Sequence, residues 1–199
     1  MINDLLSLPF AFKVATQDFH PADHISFASN HPGAKPFETF IDMKNLVGGK
    51  PEETMKQRLW PVHCVQGTIG TDIIDEIDKA KVDIIIRKGM DSRVEMYSAF
   101  SDSFGNLTAG QGGVSHDLES ILKEKQISHV YVVGLAGDYC VKATAVDAAK
   151  AGFESYVIEE AQRCVDHSQG WNGAKSDFEK VRVVVISIVG DEVKRVKNL

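Results

Sequence analysis

A parallel α/β sheet is the architecture this sequence predicts, and three observations carry the prediction. Short β-branched runs recur along the chain, and segments of helical period lie between them. The composition is that of a packed globular protein, with 43% hydrophobic and 25% charged residues among 199. Disorder, collagen and coiled coil find no support in those proportions, and the length suits a single domain over 1–199 around one core.

The elements follow in order. FKVAT, Phe12 to Thr16, reads as a strand buried on both faces. From about His31 to Arg58, HPGAKPF and VGGKPEE concentrate proline and glycine, the mark of a long surface excursion that serves as a lid or a disordered insert. Ile73, Ile74 and Ile77 recur at helix spacing, and VDIII, Val82 to Ile86, is the second buried strand. TAGQGGVS, Thr108 to Ser115, reads as a turn before a helix, since neither the dinucleotide nor the P-loop glycine fingerprint is present. In SHDLESILKEK, Leu118, Ile121 and Leu122 share a helix face, with Ser115 or Asp117 as the cap. HVYVV, His129 to Val133, is a third strand, and CVKATAVDAAKAG, Cys140 to Gly152, is an alanine-rich helix closed by its terminal glycine. SYVI, Ser155 to Ile158, and RVVVIS, Arg182 to Ser187, complete the set. Strand, helix and strand repeated in this way predict right-handed parallel crossovers.

Lys plus Arg is 22 against 28 for Asp plus Glu, a formal net charge of −6. That balance argues against a nucleic-acid partner, which needs clustered basic surface. No apolar run approaches the roughly 20 residues of a membrane span, so no membrane partner is expected. MINDLLSLPFAFK lacks the basic flank of a signal peptide, and the cytoplasm is the expected location. Peroxisome and nucleus stay as alternatives, although Lys197-Asn198-Leu199 differs from the SKL-type address. Cys64, Cys140 and Cys164 cannot all pair and form no CxxC, which argues against a disulfide framework.

In open parallel sheets ligands sit beyond the carboxyl ends of the strands. Three such ends carry chemistry here: Asp18, Phe19, His20 and His24 after the first strand, Lys88 after the second, and Cys140 where the third turns into a helix. A thiol at a helix N-terminus faces the positive end of the dipole and free N–H groups, which lowers its pKa, and a lysine nearby adds to that. A buried structural cysteine beside a surface lysine fits the same spacing. Asp18 and His20, two apart on extended chain, face one side and suit zinc, iron(II) or manganese if a third ligand such as His63 or His24 joins them. Read alone, the pair also fits a surface carboxylate beside a loop histidine. Phe19, Trp60, Tyr97 and Tyr139 wall an apolar pocket or belong to the core. His31, His116, His129 and His167 have no carboxylate at similar spacing and read as structural. The residues alone reach a thiol hydrolase or transferase with a metal.

Taken together, VATQDFHPADHISFASNH, LWPVHCVQGT, IIRKGMDSRVEMYSAF and VVGLAGDYCVKATAVDAAKAG resemble the nicotinamidase/pyrazinamidase branch of the isochorismatase-like cysteine hydrolases. The match runs in order from about Ile2 to about Ile158. It implies a three-layer α/β/α fold with a mostly parallel sheet, and hydrolysis of nicotinamide, or pyrazinamide, to the acid and ammonia through a cysteine thioester. On the matching positions Cys140 is the nucleophile and Lys88 the positioned cation. The N–H groups of Ala136 and Cys140 form the oxyanion hole, with the Leu135–Ala136 bond cis. Asp18, His20 and His63 hold a divalent metal, zinc first with iron or manganese as alternatives. His24 matches a histidine that is a ligand in some members only. Trp60, Tyr97 and Tyr139 enclose the ring of a small-molecule substrate, and assembly into a homo-oligomer is left open.

The chain opens at Met1-Ile2-Asn3-Asp4-Leu5-Leu6, which matches the helix after the family's first strand. The first central strand, with the aspartate that takes the cysteine's proton, is therefore expected to be missing, leaving backbone groups unpaired inside the sheet. The expectation is a truncated or mis-started version of a longer enzyme. The alternatives are an amidase acting on another small amide, and a catalytically silent product that binds a metal or a partner.

Overall fold

The computed structural model describes residues 1–47, 52–107 and 113–199. Apolar runs and helical periods resolve, in chain order, into α1 (Ile2–Leu6), β1 (Val14–Asp18), β2 (Phe40–Lys44), β3 (Thr54–Arg58), β4 (Ile84–Lys88), α2 (Leu118–Glu124), β5 (His129–Leu135), α3 (Cys140–Lys150), β6 (Glu154–Arg163), α4 (Gly170–Val181), β7 (Val184–Ile186) and α5 (Asp191–Lys197). Asp117 caps α2, its carboxylate accepting from Ser120 N, and Gly152 follows α3 with φ of +96° as the predicted stop.

Alternation along β6 creates the layers. Tyr156 and Ile158 face Leu5 of α1, Ile186 of β7 and Val193 of α5, whereas Val157 faces Val141 and Ala145 of α3 with Ala174 and Phe178 of α4. Helices thus cover both faces of a parallel β5-β6-β7 sheet, the three-layer α/β/α arrangement. β1 and β4 form a separate parallel pair, and Val14 and Val130 pack against the cluster that holds Ile86, Leu118 and Leu122, so both half-sheets share a core.

Several expectations change. The first two strands lie two residues later than their apolar runs, because pairing continues to the charged register Asp18↔Lys88. Burial on both faces holds for most of β6 but not for β1 or β5, which contain no fully buried residue. Each has one paired neighbour among the described residues, and β1 and β5 do not pair with each other. Ile73, Ile74 and Ile77 form no α-helix: short 3-10 turns at Ile69–Thr71 and Lys79–Lys81 flank them, and Ile74 faces water, so their period marks no buried stripe. The proline- and glycine-rich excursion holds the antiparallel hairpin β2-β3, whose alternation buries Met43 and Gln57. Residues 48–51 of VGGKPEE and 108–112 of the TAGQGGVS turn lie outside the described residues.

Candidate active site

The parallel register that sets Asp18 opposite Lys88 also builds the centre of the site. Lys88 is buried, and its Nζ lies 2.6 Å from Asp18 Oδ1, 3.0 Å from the Met96 carbonyl oxygen and 3.5 Å from Cys140 Sγ. An ammonium has three N–H donors, and three acceptors stand around it. Burial alone favours a neutral amine, but the charges of Asp18 and Cys140 hold Lys88 above its ordinary value. Burial likewise pushes Asp18 up, and the Lys88 charge and hydrogen bond reverse this and leave the carboxyl below its usual range. The pair is therefore ionic.

Cys140 opens α3, directly after β5 and the loop 136–139. The register of β5 against β6 shifts between Val132 and Gly134, and the Leu135–Ala136 bond is cis, as expected. Among the described residues no acceptor takes the N–H of Ala136 or of Cys140, so both donors are free to meet a ligand. The loop is held from behind by buried Asp138, whose carboxylate accepts from the N–H groups of Val165 and Asp166. One expectation is corrected: burial pushes the thiol up, to about 11, with the Lys88 charge opposing.

A candidate metal position lies beside this centre. One ligand atom from each of Asp18, His20 and His63 falls within 4.8 Å of the others. The bridge between His20 and Val65 draws the Pro61–Val65 turn against the end of β1. His20 Nδ1 bonds the Gly89 carbonyl at 2.8 Å and His63 Nδ1 the Pro61 carbonyl at 2.9 Å. A carbonyl only accepts, so each Nδ1 carries a proton, and in a neutral imidazole that leaves the lone pair on Nε2, the tautomer a metal requires. Gly89 permits the contact: it has φ of +65°, and a Cβ there would lie 2.4 Å from His20 Cε1. Burial holds His20 below its ordinary value, in the neutral form. The donor set therefore fits a divalent cation. His24, fully buried, lies against His20 with ring centroids 4.3 Å apart and planes tilted by 41°, groups with His20 and Glu95, and its Nε2 has no partner among the described residues.

Trp60, Tyr97 and Tyr139 come together, with ring centroids 4.7 Å apart for Trp60 and Tyr139, 5.2 Å for Tyr97 and Tyr139 and 6.5 Å for Trp60 and Tyr97. Trp60 is pinned through its backbone to Ser26 and Ala28. Phe19 stays outside the aromatic group and carries Arg87 over its ring at 4.6 Å. Cys64 gives its carbonyl to His20 N, and Cys164 donates to Gln162. Sequence reasoning missed Asp138, Glu95, Gln57 and Arg58. Arg58 ties the hairpin to the wall, donating to the Phe37 carbonyl and to Tyr139 Oη. The alternation in FIDMK and TMKQR was the signal available for β2 and β3.

The isochorismatase domain model matches residues 39–188. A nicotinamidase of Acinetobacter baylyi is 44% identical over 153 residues, 77% of this chain and 64% of that protein, so the chain spans just under two thirds of that relative. The structure of the yeast nicotinamidase bound to the inhibitor nicotinaldehyde superposes with a TM-score of 0.82 at 31% identity, covering 94% of this chain and 85% of that one. A Pyrococcus horikoshii pyrazinamidase in complex with zinc gives a TM-score of 0.61 at 27% identity, over 88% of this chain and 75% of that one.

Proposed function

The chain belongs to the isochorismatase family, and from that premise we propose that it is an amidohydrolase converting nicotinamide, and pyrazinamide, to the acid and ammonia. The observation that carries the reading is the Lys88 ammonium held between the Asp18 carboxylate and the Cys140 sulfur, next to the grouped rings of Trp60, Tyr97 and Tyr139.

In the proposed reaction Cys140 Sγ attacks the amide carbon, and the N–H groups of Ala136 and Cys140 receive the oxygen as it becomes negative. Lys88 stabilises the thiolate. The C–N bond breaks, the thiol's proton leaves with the amine as ammonia, and a thioester remains on Cys140. Water adds to that thioester, the acid departs, and the sulfur regains a proton. Trp60, Tyr97 and Tyr139 hold the ring so that the carbonyl meets the sulfur. Asp18, His20 and His63 would hold the divalent ion, with zinc proposed, and it supplies a Lewis-acid position that orients a lone pair of the substrate. No described helix is long and apolar enough to cross a membrane. The cytoplasm is the proposed compartment, on charge and composition.

Ammonia release from nicotinamide, with Cys140→Ala beside it, tests the reading. Release that vanishes in the variant supports it, and release that survives removes Cys140 as nucleophile. Elemental analysis tests the metal separately: His63→Ala should lose most of the bound ion, and unchanged content would move the ligand set elsewhere.

A further inference from the structure

The aromatic wall holds one hydroxyl whose polarity is set by its neighbours. Tyr97 Oη lies 3.0 Å from Trp60 Nε1, and an indole N–H only donates. A second hydrogen bond comes from Gln57 Nε2 at 2.7 Å. The orientation of that amide is determined, because the same atom lies 2.5 Å from the Arg58 carbonyl oxygen, which only accepts, and must therefore be the nitrogen. Gln57 is 2% exposed, so the arrangement is enclosed.

A phenol oxygen accepts two hydrogen bonds and donates one. Both acceptor positions on Tyr97 are taken, and among the described residues no acceptor meets its proton. Burial and the charge of Glu95 hold the phenol above its ordinary value, so the proton stays on the oxygen. The result is an O–H donor fixed in the pocket wall with nothing among the described residues to receive it. Water or ligand must do so, since an unmet buried donor is costly.

We propose that Gln57 is a positioning residue: with Trp60 it fixes the Tyr97 hydroxyl as a hydrogen-bond donor to an acceptor atom of the bound amide. The proposal rests on the hydrolase reading above. Gln57 acts from β3, within the hairpin, which gives that hairpin a part in recognising substrate as well as in covering the pocket.

The test is a double-mutant cycle on kcat/KM for nicotinamide, using wild type, Tyr97→Phe, Gln57→Glu and the double variant. Glutamate keeps the shape of glutamine but takes the Tyr97 proton instead of donating to the oxygen, so the pocket loses its donor. Each single variant should lose about 10- to 100-fold, and the double variant should fall no further than Tyr97→Phe. Losses that multiply would mean Gln57 only braces β3, and the proposal fails. It also fails if Tyr97→Phe costs less than about threefold. Gln57→Met adds no buried charge and guards against a misfolded glutamate variant. Methionine cannot donate to Tyr97 Oη, so in its background Tyr97→Phe should cost several-fold less than in the wild type, and an undiminished cost overturns the proposal. If the wild type releases no ammonia, the hydrolase reading falls first, and calorimetric binding of nicotinamide to the same proteins decides the role of Gln57 by the same pattern.

Discussion

At Cys140 two influences oppose each other: burial pushes the thiol up to about 11, and the Lys88 ammonium 3.5 Å away pulls it down. At neutral pH the resting sulfur is then mostly thiol, and the thiolate fraction grows about tenfold per pH unit below the pKa. Iodoacetamide alkylation of Cys140 in chelator-treated protein, followed by peptide mass spectrometry, should accelerate by about a hundredfold from about pH 8 to about pH 10. Lys88→Met removes the attraction and should shift the profile to higher pH. A rate already flat at about pH 8 would contradict the burial argument. His24 gives the complementary case in acid. Burial lowers it to about 4 in the fold, from 6.5. As pH falls below 6.5 the unfolded chain takes the proton first, so stability declines from there to about pH 4 and is flat beyond. The loss is about 2–3 kcal/mol by about pH 4.5. Urea unfolding of metal-free protein should show it, and His24→Gln should lose less over the same interval. Asp18, His20, His63, Lys88 and Cys140 were legible in the sequence because each stands at a strand end or within a quoted motif. Gln57 was not, since it acts through a hydrogen bond to a residue distant along the chain, and Asp138, although inside a quoted motif, has a bracing role that only its bonds to Val165 and Asp166 reveal.

Elements whose pattern is local were the easier ones to read. The helix at Leu118–Glu124 announces itself through Asp117 and the apolar pair Leu118 and Leu122, and it forms with that cap in place. Asp117→Ala should cost about 1 kcal/mol by losing the bond to Ser120 N, lowering the melting temperature by a few degrees, while Asp117→Asn should restore most of it. An unchanged melting point for the alanine variant would show that packing of Leu118 and Leu122 alone holds the helix. β2 and β3 were hidden by the glycine and proline between them, because a hairpin interrupted by a long turn resembles a loop when read along the chain. The isoleucines at 73, 74 and 77 misled in the opposite direction, since spacing reports a face but not whether anything covers it.

For the molecule as a whole the decisive feature is a sheet in two parts, β4-β1 and β5-β6-β7. The site bridges them: Asp18 and Lys88 come from one part, and Cys140 follows the other. β6 has partners on both sides and buries most of its residues, whereas β1 and β5 each have one partner and stay half-buried. With one partner each among the described residues, β1 and β5 bury less apolar surface than β6, which loosens the coupling between Lys88 and Cys140. Native-state hydrogen exchange should therefore find β6 amides protected to near the global limit, and amides of Val14–Asp18 and His129–Leu135 exchanging at least about tenfold faster. A family-like strand supplied as an N-terminal extension, parallel to both edges, should close that difference and raise the urea midpoint. If β1 and β5 are already as protected as β6, the two parts behave as one sheet without it. If the extension, made with asparagine in place of the family's strand-end aspartate, protects the edges and also increases ammonia release, the coupling across the divide limits the chemistry, since no proton acceptor has been added while the distance between Lys88 and Cys140 is held more tightly.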